Sequence, residues 1–185
     1  MPFKWKKLVK EFTILNSLMI LNFQKNWFTN LLVVIGAKLK LINMETGQII
    51  EFVKNSSKFM PHFHIPLQSG SDTVLKLMQR RYNSNLYAER ITAIKSVMPH
   101  ACIGVDVIVG SPGETEAYFK ESFDFIHSLD ISYLHVFTYS ERAMTKALEI
   151  KPVVPISVRN ERNKLLRNLS YQKQQYFNAQ HLGAT

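Results

Sequence analysis

Ala101-Cys-Ile-Gly-Val-Asp-Val-Ile-Val109 runs directly into Gly110-Ser-Pro-Gly113. A stretch that is nearly all apolar or β-branched, ended by a glycine-proline turn, reads as a strand buried on both faces. Such strands belong to parallel sheets, because crossover helices cover the sheet. The flanks agree. On the N-terminal side, Leu86, Ile91, Ile94 and Val97 recur at helical spacing over about residues 85–98, and Pro99 stops that helix. On the C-terminal side, Thr115 is placed to open a helix carrying Phe119, Phe123, Phe125, Ile126 and Leu129.

Further outward the pattern repeats. Tyr133-Leu-His-Val-Phe-Thr-Tyr139 is a second strand, closed by Ser140-Glu-Arg142; a loop with Pro152 and Pro155 leads to a long helix over about residues 156–181. Upstream, Thr46 is predicted to cap a helix with Ile49, Ile50 and Val53, and His62 to Gln68 is a short extended run. Asp72 is then predicted to cap a short helix with Val74, Leu75 and Met78 inward. Strand and helix alternate, which implies right-handed crossovers. The expected fold is α/β, a partial (β/α) barrel of three parallel βα units with an atypical N-terminal segment.

Composition bounds the rest. The chain has 185 residues, 46% hydrophobic and 20% charged, with a formal net charge of +9, enough for one domain with a real core. Residues 1–40 hold seven lysines against Glu11, so most of the basic excess lies there. The apolar runs Phe12–Phe23 and Trp27–Ala37 are too short to span a bilayer, and no small-x-small cleavage site follows them. No membrane partner is expected. The single cysteine, Cys102, excludes an internal disulfide and fits a reducing, cytoplasmic setting.

In parallel α/β folds ligands bind where the C-terminal ends of strands feed loops into helices. Gln68-Ser-Gly-Ser-Asp72, Gly110-Ser-Pro-Gly-Glu-Thr115 and Tyr139-Ser-Glu-Arg142 are three such loops, and their convergence on one rim is the functional signal. Gln68, Ser69 and Ser71 offer donors and acceptors suited to ribose hydroxyls. Gly110 and Gly113 remove side chains where a flat ring or a backbone must come close, although glycine and proline after a strand also make an ordinary turn. His62 and His64 alternate along an extended run and face the same way; with no further ligand clustered beside them, no metal site is expected. His135 reads as a barrel-wall residue and Cys102 as a small core residue. Arg159, Arg162, Lys164, Arg167 and Lys173 on the last helix read as a solvated face or as a nucleic-acid stripe.

His64-Ile-Pro-Leu-Gln-Ser-Gly-Ser-Asp72, Leu75-Lys-Leu-Met-Gln-Arg-Arg-Tyr82, Asp106-Val-Ile-Val-Gly-Ser-Pro-Gly-Glu-Thr115 and Val136-Phe-Thr-Tyr-Ser140 stand in an order and spacing that resemble the radical S-adenosylmethionine methylthiotransferases. Phe59-Met-Pro-His-Phe-His64 and residues 130–142 are similar to the branch that methylthiolates N6-threonylcarbamoyladenosine next to the tRNA anticodon. The resemblance covers about residues 46–185. It implies that Gln68, Ser69 and Ser71 lie by the ribose of S-adenosylmethionine, that Ile108 to Gly110 pack on its adenine with Tyr139 on the same rim, and that Arg81 meets its carboxylate. It also implies tRNA as a partner and [4Fe–4S] clusters as cofactors. A cluster loop of three cysteines is absent from this chain, as is the RNA-binding β-barrel that follows in the family. The resemblance does not extend to residues 1–44, which are expected not to match the family and to be disordered or the product of a shifted reading frame, with a native basic arm as the alternative. Residues 45–185 are expected to be the C-terminal half of the barrel, inactive alone and completed by a complementing N-terminal half. Two other readings stand beside this one: a non-catalytic RNA-binding or assembly module, and another S-adenosylmethionine-binding half-barrel that needs a partner chain.

Overall fold

A computed structural model describes residues 34–35, 37–38, 46–57 and 60–183. The expectations for residues 1–44 therefore lie outside the described residues, apart from Val34–Ile35 (β1) and Ala37–Lys38 (β2), which pair antiparallel. Helix α1 is Thr46–Asn55 and strand β3 is His62–His64; α2 is Asp72–Leu77 and α3 is Ser84–Val97. Strand β4 is Cys102–Val109, α4 is Glu116–Ser128, β5 is Tyr133–Thr138 and α5 is Ile156–Gln180.

The three later strands form one parallel sheet in the order β3-β4-β5. Three parallel strands joined by helices make an open α/β sheet, the partial barrel that the alternation predicts. Along β4 the odd residues Ile103, Val105, Val107 and Val109 are buried. They share one core with Phe63, Ile91, Ile94, Phe119, Ile126, Leu134, Leu166 and Leu169. The even residues Cys102, Asp106 and Ile108 are only half-buried. So β4 is packed on one face and open on the other, where the sequence predicts burial on both. The period-2 alternation of a strand puts His62, His64, Cys102, Gly104, Asp106, Tyr133, His135 and Phe137 on that concave face.

Local signals act largely as expected. The Thr115 hydroxyl accepts from Tyr118 N–H at 3.3 Å and caps α4. For α2 the cap position is Ser71, which makes no side-chain cap bond. Asp72 is the first helical residue, and its carboxylate accepts from Ser84 N–H at 2.7 Å, tying α2 to the start of α3. That is a correction to the predicted Asp72 cap. Asn83 caps α3 by accepting from Leu86 N–H at 2.9 Å.

The outer edge of β5 is covered by side chains of α5. The Ser170 hydroxyl accepts from Leu134 N–H at 2.8 Å and donates to the Leu134 carbonyl at 3.0 Å. The Asn163 amide donates to the Val136 carbonyl at 3.4 Å and to Thr138 Oγ1 at 3.1 Å. Backbone groups that face away from β4 thus find partners, as edge strands require. Among the described residues no helix is long and apolar enough to cross a membrane.

Candidate functional site

The first loop begins with an irregularity in strand pairing. Leu67 N–H and Gln68 N–H both donate to the Asp106 carbonyl, at 3.1 and 2.8 Å, and the Gln68 carbonyl accepts from Ile108 N–H at 2.9 Å. Two residues therefore oppose one, which is a bulge, and bulges re-aim side chains beside functional sites. Gln68 has φ of 74°, a conformation that costs a non-glycine residue on the order of 1 kcal/mol. Two tyrosines hold this strand end. Tyr82 donates to the Leu67 carbonyl at 2.7 Å and Tyr87 to the Ile65 carbonyl at 2.6 Å. Burial pushes the Tyr82 phenol up to about 12 and Tyr87 well above its ordinary value, so both remain donors. Sequence reading missed them as strand-end props, because Tyr82 sits in the connection before α3 and Tyr87 reads as one more core residue of that helix.

Beyond Gln68 the loop is fastened to α4. Gly70 N–H donates to Ser122 Oγ at 2.7 Å, Ser71 N–H to Ser69 Oγ at 3.2 Å, and the Ser71 hydroxyl to Glu121 Oε2 at 2.6 Å. Ser69 and Ser71 are fully buried. The Ser71 hydroxyl is thus committed to a helix carboxylate.

The second loop is built around Glu114. Its Oε2 accepts from Gly110 N–H at 2.6 Å and from Arg162 Nη1 at 2.9 Å, and its carbonyl accepts from Arg162 Nη1 at 3.0 Å. Arg162 also reaches Glu116 Oε2 at 2.9 Å and lies over the Phe119 ring at 4.9 Å. Burial pushes the Glu114 carboxyl above its ordinary range, against the opposing pull of Gly110 N–H and Arg162. Gly110 has φ of 76°, and a Cβ there would collide with the Arg159 side chain; at Gly113 it would meet Leu77. The room left by both glycines is filled by protein side chains, a reason for them independent of any ligand. The buried Ser111 hydroxyl has no hydrogen-bond partner among the described residues.

Arg159 joins the second loop to the third. It donates to the Val154 carbonyl at 2.8 Å and the Tyr139 carbonyl at 3.1 Å, pairs with Glu141, and stands 5.5 Å from the centre of the Tyr139 ring. Tyr139 N–H donates to the Val109 carbonyl at 2.9 Å. Arg159 and Arg162 are 3% and 5% exposed, and Lys173 donates to the Leu129 carbonyl at 2.7 Å. Three of the five basic residues predicted for a solvated or nucleic-acid face thus turn inward, because acidic groups and the carbonyls of loops and of the α4 C-terminus lie beneath them.

Gln68, Ile108, Gly110 and Tyr139 consequently stand side by side at the C-terminal ends of the three strands. Arg81 is exposed on the connection between α2 and α3.

The concave face carries a second group of polar residues. His64 Nε2 is 2.9 Å from Asp106 Oδ1, and the His64 and His135 rings are 5.3 Å apart. His62 Nε2 is 2.9 Å from the Tyr133 hydroxyl; burial, and then the charge of His64, hold His62 below its ordinary pKa. Cys102 lies half-buried at the start of β4, and burial pushes its thiol up. The expectation that no ligand clusters beside His64 is corrected: Asp106 and His135 do so from the neighbouring strands. They are remote in sequence and meet only through the sheet register.

The profile of a family described as the Radical SAM superfamily matches residues 8–126. A threonylcarbamoyladenosine tRNA methylthiotransferase MtaB of Aquifex aeolicus is 41% identical over 130 residues, covering 70% of this chain and 32% of the relative. The Bacillus subtilis protein of the same name is 45% identical over 127 residues, 69% of this chain and 28% of the relative. A tRNA-2-methylthio-N(6)-dimethylallyladenosine synthase of Bacillus licheniformis is 35% identical over 136 residues, 71% of this chain and 27% of the relative. The chain spans about a third of the length of these curated relatives.

Proposed function

Because the chain belongs to the radical SAM superfamily, we propose that it supplies the C-terminal strands of a tRNA methylthiotransferase barrel and that its mouth holds S-adenosylmethionine. One observation carries this reading: Gln68, Gly110 and Tyr139 are neighbours on one rim, joined through Gln68 to Ile108 and Val109 to Tyr139 backbone bonds. Threonylcarbamoyladenosine in tRNA is the favoured substrate, on the names of the first two relatives and the resemblance of residues 59–64 and 130–142 to that branch.

The donor set fits a nucleoside. Gln68, displaced by the bulge, offers an amide to the ribose, with Ser69 behind it. Ile108 is half-buried on the open side of β4 and gives the adenine an apolar floor. Tyr139 closes the rim, oriented by Arg159. The unpartnered Ser111 hydroxyl is a further donor available at the second strand end. Ser71 shapes the loop through Glu121, and the exposed Arg81 is assigned to the carboxylate of S-adenosylmethionine. The chemistry S-adenosylmethionine supplies when bound is a methyl group and, on reduction, a hydrogen-abstracting radical.

An iron–sulfur cluster does not fit this chain. Cluster irons are held by several thiolates; here there is one cysteine, and its burial favours the protonated thiol. The cluster ligands are accordingly assigned to a complementing barrel half outside these 185 residues, and no turnover is expected from this chain alone. Binding of tRNA, in the cytoplasm, is likewise assigned to the completed protein. The inward turn of Arg159 and Arg162 weighs against the last helix as a separate RNA-binding module.

Isothermal titration of the full chain with S-adenosylmethionine tests the mouth. Saturable one-to-one binding is expected, reduced roughly tenfold by Gln68→Ala, which removes about one hydrogen bond. Absence of binding at ~1 mM ligand, or binding indifferent to both Gln68→Ala and Tyr139→Ala, would overturn the reading.

A further inference from the structure

The geometry points to a binding site for a borderline divalent cation such as Zn2+, formed by His64, Asp106 and His135 on the concave face. Each comes from a different strand. The register sets Asp106 directly opposite His135 and His64 opposite Gly104, one level lower. All three side chains project to the same face, and one ligand atom from each lies within 4.8 Å of the others. Ligands bound to one such ion at about 2.1 Å stand roughly 3 to 4 Å apart. His64 Nε2 and Asp106 Oδ1, at 2.9 Å, are close to that spacing, and the exposed His135 ring brings its nitrogen within 4.8 Å of both.

The surroundings suit this role. Gly104 brings no side chain to the face, and a Cβ there would collide with the Tyr133 ring that lies over it. Tyr133 is fixed by its hydrogen bond to His62 and meets the His135 ring edge-on at 5.1 Å between centres. Packing of this kind limits the freedom of the His135 ring. Two imidazoles and a carboxylate select against Mg2+ and Ca2+, which take all-oxygen shells, and favour Zn2+, Co2+, Ni2+ or Fe2+. Three protein ligands leave a coordination position open to water or a bound molecule. The site shares no residue with the proposed nucleoside mouth, so the two readings stand or fall separately.

Untagged full chain, stripped with a chelator and titrated with Co2+, provides the test through the visible absorption of the ion. One equivalent is expected to bind and to be displaced by Zn2+. Asp106→Asn, which keeps size and hydrogen bonding but loses the charge, and His135→Gln, at an exposed position, are each expected to weaken binding at least about tenfold. His100→Gln and His127→Gln, exposed elsewhere, are expected to leave it unchanged. Absence of saturable binding overturns the site. So does full affinity in both ligand variants with unaltered circular dichroism, or a sulfur-to-cobalt charge-transfer band, which would move the ion to Cys102.

Discussion

At the scale of single residues, Arg159 and Arg162 change the meaning of the last helix. Charge pattern alone makes them part of a basic stripe; in the structure their guanidinium groups are struts under the rim. Glu114 is the group on which Arg162 depends, and both are almost wholly buried. Removing one member of a buried pair leaves the other charge without compensation, a loss of about 3 to 5 kcal/mol in comparable cases. Glu114→Ala is therefore expected to lower stability by about 3 kcal/mol, seen as a lower urea midpoint at unchanged slope, with Glu114→Gln losing less because it retains an acceptor for Gly110 N–H. These contacts were not legible in the sequence. Arg162 and Glu114 are 48 positions apart, and a pattern of charges carries no information about which are covered. Gly110 and Thr115 were legible, because a positive φ and a helix cap are local requirements written in residue type.

At the scale of elements, the long runs declared themselves. Residues 101–109 alternate in burial and are apolar almost throughout, and the helices on either side carry complete stripes. The bulge at Gln68 did not declare itself, since it exists only in relation to the Asp106 carbonyl on the neighbouring strand. The openness of the concave face was likewise hidden: an apolar residue such as Ile108 looks the same in sequence whether or not a further layer covers it. The guarded edge of β5 yields a prediction at this scale. Ser170→Ala removes the partner of both Leu134 backbone groups, which are buried with their residue. A loss of about 1 to 2 kcal/mol is expected, together with faster hydrogen exchange at the Leu134 amide.

At the scale of the whole molecule, one face of the sheet is finished and the other is not. Phe137 is 53% exposed beside the half-buried Tyr139, and Tyr171 and Tyr176 on α5 are 63% and 66% exposed. Aromatic surface left uncovered in this way promotes contact between chains. The isolated chain is expected to self-associate, giving light-scattering masses that rise with concentration and persist at high salt, and Phe137→Asp is expected to reduce this. A monodisperse monomer across the concentration series would contradict it. The same open face is where a complementing half would have to close the barrel.

The bonds from Ser170 and Asn163 to β5 also give the sheet a direction. A newcomer strand could not settle beside β5 without first prying those two side chains loose. Any graft, split-protein complement or engineered fusion that aims to enlarge the sheet at this edge should therefore replace Ser170 and Asn163 first.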